Sequence, residues 1–222
     1  MGHNKLGIAL VVALSLLIQQ STIATEAAVV SGTDPEQKSF AEQGLEHWYK
    51  GDFVTAINVL IKADAEGDIK GTIALSQLYH FSSEFDLALP LLLKAETAED
   101  MESMLTLVEY YEKGLAMEKP NLERARAILN KLVGMNYPQA MMFKAESLER
   151  GRLGIEVDFS AAFQLYEKLA DLKYLPAINS IYETYQYGSP AIKADIEQAK
   201  LWRQRFIDVQ KETLEANKNA QY

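Results

Sequence analysis

The 222-residue sequence contains no cysteine, only three histidines and two tryptophans, and no apolar run long enough to span a membrane as a helix. Without cysteine there is no disulfide framework, no cysteine-ligated zinc or iron–sulfur cluster, no thiol catalysis and no lipid on sulfur. With so few histidines, metal ligation and proton shuttling have little to draw on. Basic residues are outnumbered, 22 against 31, giving a formal charge of −9 and a pI near 4.9. That balance argues against a protein that grips the phosphate backbone of nucleic acid, which needs a cationic surface. Also missing are a phosphate-binding Gly-rich loop, His-Glu-x-x-His, Gly-x-Ser-x-Gly and an EF-hand loop. What remains, at 48% hydrophobic and 24% charged, has the composition of a globular chain.

The longest apolar stretch follows Lys5 and runs from Leu6 to Ile18. Its 13 residues fall short of the roughly 20 a spanning helix requires. Polar residues Gln19 to Thr22 follow, then small residues that allow cleavage after Ala24 or Ala27. Residues 1–27 therefore read as a secretory signal peptide, and residues 28–38 as a flexible linker. No cysteine follows the run, so a bacterial lipoprotein is excluded. Cleavage after Ala27 leaves the net charge at −9, because Lys5 and Glu26 leave together. No Asn-x-Ser/Thr acceptor is present, and the bacterial periplasm is the expected location, with secretion as the other route. An uncleaved leader would instead act as a membrane tether.

The rest of the chain repeats. Ala56, Ala88, Ala125, Ala162 and Ala199 are separated by 32, 37, 37 and 37 residues. Gly114, Gly151 and Gly188 each stand 11 residues before their alanine, and Asn121, Asp158 and Asp195 each stand four before it. Leu60, Leu92, Leu129, Tyr166 and Arg203 follow the alanines by four, and Ala63, Ala95, Leu132, Leu169 and Phe206 by seven. Each unit reads as two helices. In the first, apolar residues recur at helical spacing, as in Met104, Leu107, Val108 and Tyr111, or Ile178, Ile181, Tyr182 and Tyr185. The three glycines suit left-handed C-terminal caps, and Asn121, Asp158 and Asp195 suit N-caps. Asp195 with Gln198 is a candidate capping box. The alanines let neighbouring helices approach closely.

Trp48-Tyr49-Lys50-Gly51-Asp52-Phe53-x-x-Ala56-Ile57, with Ala63, resembles a tetratricopeptide repeat, and Leu75-Ser76-x-x-Tyr79 with Ala88 and Ala95 continues the style. The later units, Tyr111-Glu112-Lys113-Gly114 to Ala125, Leu148-Glu149-Arg150-Gly151 to Ala162, and Tyr185-Gln186-Tyr187-Gly188 to Ala199, resemble Sel1-like repeats, close relatives with a longer inter-helix loop. The resemblance spans residues 39–214 and implies an all-α fold: a right-handed α/α superhelix, or solenoid, of about five antiparallel helix pairs with one concave surface. Pro90 is expected to kink or shorten its helix. Residues 199–219 read as one longer helix, with 215–222 as a polar tail.

Candidate chemistry is sparse. His47 and His80 lie in neighbouring units and could face each other. Met101, Met104, Met135, Met141 and Met142 read as core filler. Tyr111, Tyr185 and Trp48 hold repeat-keeping positions and read as core. Glu109, Glu146 and Glu183 recur at 37-residue spacing, and Glu112, Glu149 and Gln186 do the same three residues on. Because i and i+3 share a helix face, these six form a two-column ladder along the first helices, with Lys113 and Arg150 beside it. The ladder is the candidate partner-binding site, for a basic or extended segment of another protein. No catalytic, cofactor-binding or metal site is expected. The resemblance implies a non-catalytic exported scaffold in cell-envelope, secretion or exopolysaccharide assembly. The alternative is a cell-wall-directed enzyme or a small-ligand or glycan-binding protein. Some cysteine-rich exported members of the family are linked to cell-wall precursor and β-lactam binding, and the absence of their paired cysteines here counts against that alternative.

Overall fold

The structure is a computed structural model that describes residues 38–219. The expected leader over 1–27, nearly all of the 28–38 linker and the last three residues of the tail lie outside the described residues. Among the described residues there are ten helices and no strand. They are α1 (Phe40–Tyr49), α2 (Phe53–Ala65), α3 (Ile69–Phe81), α4 (Phe85–Thr97), α5 (Met101–Lys113), α6 (Leu122–Gly134), α7 (Pro138–Arg150), α8 (Phe159–Asp171), α9 (Leu175–Tyr187) and α10 (Ile196–Asn219). Consecutive helices pack on one another from end to end, building a right-handed superhelix of five antiparallel pairs. From α2 to α9 every helix has 13 residues. At 1.5 Å per residue each is about 20 Å long.

Local chemistry sets these lengths. The side chains of Ser39, Asp52, Asp68, Asp100, Asn121 and Asp158 each accept a backbone N–H from the first turn of the helix they precede. Tyr137 and Tyr174 make no such bond, and a proline within the next two residues removes a donor that would otherwise need one. Asp195 caps α10 through Glu197 and Gln198, at 3.0 and 3.1 Å. The expected capping box does not close, because the Asp195 N–H goes instead to the Tyr185 carbonyl at 2.7 Å.

The alanine column is buried in all five units, with 1% or less of each residue accessible. Leu60, Leu92, Leu129 and Tyr166 are buried beside it, as are Ala63, Ala95, Leu132 and Leu169. Burying a leucine of this kind is worth about 1.5–3 kcal/mol. Arg203 keeps the register but is exposed, because no sixth unit covers the last helix among the described residues. A second small-residue column runs through the third position of each later first helix: Gly71, Ser103, Ala140 and Ala177, all buried.

Several expectations need correction. Pro90 leaves α4 at 13 residues; it is exposed, so water can satisfy the carbonyl it orphans. Gly114 and Gly151 adopt the left-handed cap, whereas Gly188 takes φ 79°, ψ 167°. The cause lies two residues on. Ala116 and Leu153 both have φ +57°, but the third loop carries Pro190 at that register, and its ring holds φ near −65°. Met104 and Met141 are core residues, while Met101 and Met135 are exposed at helix ends. The long last helix expected over 199–219 is present and runs from Ile196 to Asn219, so the polar stretch from 215 begins inside it.

Candidate functional site

The ladder residues sit on three parallel first helices: Glu109 and Glu112 on α5, Glu146 and Glu149 on α7, Glu183 and Gln186 on α9. The tertiary structure divides them into two groups.

In the first group the charges are matched from within. Lys113 pairs with Glu109 one turn away. Arg152, just past the C-terminus of α7, reaches back to α5 and grips Glu112 with a fork: Nε to Oε1 at 2.9 Å and Nη2 to Oε2 at 2.6 Å. Its guanidinium lies 4.3 Å from the centre of the Phe143 ring. The bonds to Glu112, with the nearby charges of Glu146 and Glu109, hold the Arg152 pKa above its ordinary value despite partial burial. The loop is braced by Arg126, which donates to the Leu153 carbonyl at 2.7 Å, and Leu153 is itself buried. Sequence reasoning missed Arg152. It named Arg150, which forms no ion pair among the described residues.

In the second group Glu146, Glu149 and Glu183 converge on an open cleft of about 390 Å³ between α7 and α9. Tyr166 of α8 contributes to its lining; this side chain is buried, and its hydroxyl donates to Glu149 Oε2 at 3.0 Å. Burial, then the charges of Glu149 and Glu146, pushes the phenol well above its ordinary range, so it stays a donor. Asn179 donates to Glu183 at 2.9 Å. Ser180 and Thr184 line the cleft, Tyr187 stands 78% exposed on its lining, and Arg150 is its cation. Gln186 does not line it.

The histidines go separate ways. His47 Nδ1 lies 3.2 Å from Asp52, and His80 Nδ1 lies 3.3 Å from the hydroxyl of buried Tyr110. Among the described residues no three His, Asp or Glu side chains are grouped to hold a metal. Tyr111, Tyr185 and Trp48 pack against the core from its edge, and the fully buried tyrosines among the described residues are Tyr110, next to the repeat-keeping position, and Tyr166.

No family model and no curated protein matches the sequence. Solved structures do match the coordinates. A Sel1 repeat protein from Oxalobacter formigenes superposes with a TM-score of 0.63 at 21% identity, over 76% of this chain and 69% of that one. This is the Sel1-repeat fold. A second Sel1-repeat (SLR) structure, c5321, a protective antigen present in uropathogenic Escherichia coli strains, superposes with a TM-score of 0.59 at 19% identity, over 82% of this chain. The match covers 40% of that antigen's chain, so this Sel1-repeat array spans less than half its length. At these identities the likeness is one of fold.

Proposed function

We propose that this chain is a non-catalytic, exported Sel1-repeat scaffold that holds a protein partner through a basic or extended segment, in the assembly of a bacterial cell envelope or of secretion or exopolysaccharide machinery. The supporting observation is the cleft group of Glu146, Glu149 and Glu183, three carboxylates facing one cation on a first-helix surface, while the apolar repeat positions are consumed in packing. Stacked helical repeats present a long, preformed surface of this kind and need no cofactor to do so. Export rests on Lys5, the apolar run and the small residues at Ala24 and Ala27.

The test is in vivo crosslinking of a tagged, exported copy with mass spectrometry of the adducts, run beside a Glu109→Lys, Glu146→Lys, Glu183→Lys variant of unchanged helicity. The reading expects a discrete partner that the variant loses, and a mature N-terminus beginning after Ala24 or Ala27. A partner captured equally by both proteins removes the ladder from the account. A preparation with no protein adduct that retains envelope glycans supports the ligand-binding alternative.

A further inference from the structure

The repeat register joins the two halves of the ladder. Shifted by 37 residues, Glu112 becomes Glu149, Glu109 becomes Glu146, and Glu146 becomes Glu183. The carboxylates around Arg152 are therefore reproduced, one unit later, by the carboxylates of the cleft. The same shift turns Lys113 into Arg150, so each set carries one cation at its helix end, and in the first set that cation pairs with Glu109 without displacing Arg152. Two positions change. Phe143, under the Arg152 guanidinium, becomes Ser180, and Arg152 itself becomes Ser189. Both serines line the cleft. The cleft stands where the chain's own arginine stands one unit earlier, lined by the equivalent acids and by two small side chains in place of two large ones.

We infer that the cleft between α7 and α9 receives the side chain of an arginine from a partner protein, gripped by Glu149 as Arg152 is gripped by Glu112. This deepens the scaffold reading and rests on it. The carboxylate of Glu149 is held by the Tyr166 hydroxyl, and Glu146 and Glu183 line the same cleft and add negative charge. A guanidinium presents two parallel N–H groups to such a carboxylate, whereas an ammonium presents a point charge. Arginine is thus favoured over lysine. A neutral urea of the same shape is rejected because it leaves three carboxylates facing one cation. Tyr187, exposed on the lining, offers a ring face in the role that Phe143 plays for Arg152.

The experiment titrates acetyl-Ala-Arg-Ala-amide into the purified, isotopically labelled protein, beside its lysine and citrulline counterparts, and follows backbone amide shifts. Expected are saturable shifts centred on the C-terminal halves of α7 and α9 for the arginine peptide, about tenfold weaker binding of the lysine peptide, and no response to citrulline. Glu149→Gln should weaken the arginine peptide by about tenfold while circular dichroism is unchanged. Arg152→Ser removes the chain's own occupant from the first seat, so a folded variant should bind two equivalents instead of one. If that variant does not fold, Glu149→Gln alone decides. Equal responses to arginine and lysine, indifference to Glu149→Gln, or a folded Arg152→Ser variant still binding one equivalent would each overturn the inference. The wider reading fails separately: a partner lost on charge reversal, with no arginine-peptide binding, keeps the scaffold and discards the arginine seat.

Discussion

The backbone N–H of Asn121 donates to the carbonyl oxygen of Tyr111 across 2.7 Å. One repeat later Asp158 donates to Leu148 at 2.9 Å, and one further Asp195 donates to Tyr185 at 2.7 Å. Each bond satisfies a carbonyl near the C-terminus of a first helix, where partners within the helix run out. It also fixes the residue that caps the second helix. The two helices of a unit are thus joined by a bond that needs no particular side chain, and the third loop keeps it although Pro190 changes its course.

The cap itself does need a side chain. Asp158 Oδ1 accepts from the Ala161 N–H at 2.9 Å, while its backbone bond to Leu148 is independent of the carboxylate. Asp158→Ala should therefore cost about 1 kcal/mol and leave the fold intact. Urea denaturation should show a lower midpoint with an unchanged slope.

Helices α2 and α3 meet at Gly71, where an added Cβ would lie 2.3 Å from Ala63 Cβ. Helix propensity alone favours Gly71→Ala by about 1 kcal/mol. The clash should reverse the sign, leaving the variant destabilised by about 1–3 kcal/mol. Adding Ala63→Gly should recover most of the loss, a coupling that a double-mutant cycle measures.

Ser103 shares a register with Ala140 and Ala177, and its hydroxyl is buried without a hydrogen-bond partner. Ser103→Ala removes that orphan and should stabilise the protein by about 1 kcal/mol. Thermal unfolding should rise by about 2–4 °C.

His80, Phe85 and Tyr110 form a cluster of three mutually contacting rings. Burial lowers the His80 pKa below the ordinary 6.5, with opposing influences from Glu109 and Lys113. Below pH 6.5 the unfolded chain takes up a proton at this position before the folded one does, so stability falls as pH falls. The loss should be greatest once pH has passed below the folded pKa. Midpoints in urea at pH 7 and pH 5 should differ less for His80→Gln than for the unaltered protein. Carboxylates held low by their partners, such as Glu46 at about 2, act in a more acidic window.

Legibility in the sequence followed the range of the interaction. The alanine column, the leucines after it and the caps at Asn121 and Asp158 were readable because each stands at a fixed offset within its unit, and the repeat imposes the same packing on successive copies. The course of the third loop was signalled too, by Pro190 at the register of two positive-φ residues, but the signal has meaning only once those backbone angles are known. Arg152 was not readable. It is 40 residues from Glu112, while Lys113 and Arg150 lie next to the acids in the chain.

By itself the sequence determined the repeat, the pairing of two helices in each unit and the buried alanine and leucine columns, because these arise from local spacing and from burial that each unit repeats. Only the tertiary structure decided which carboxylates stay open. Coulombic pairing depends on distance in space, and stacking the units carried Arg152 to Glu112 while leaving Glu146, Glu149 and Glu183 around the cleft.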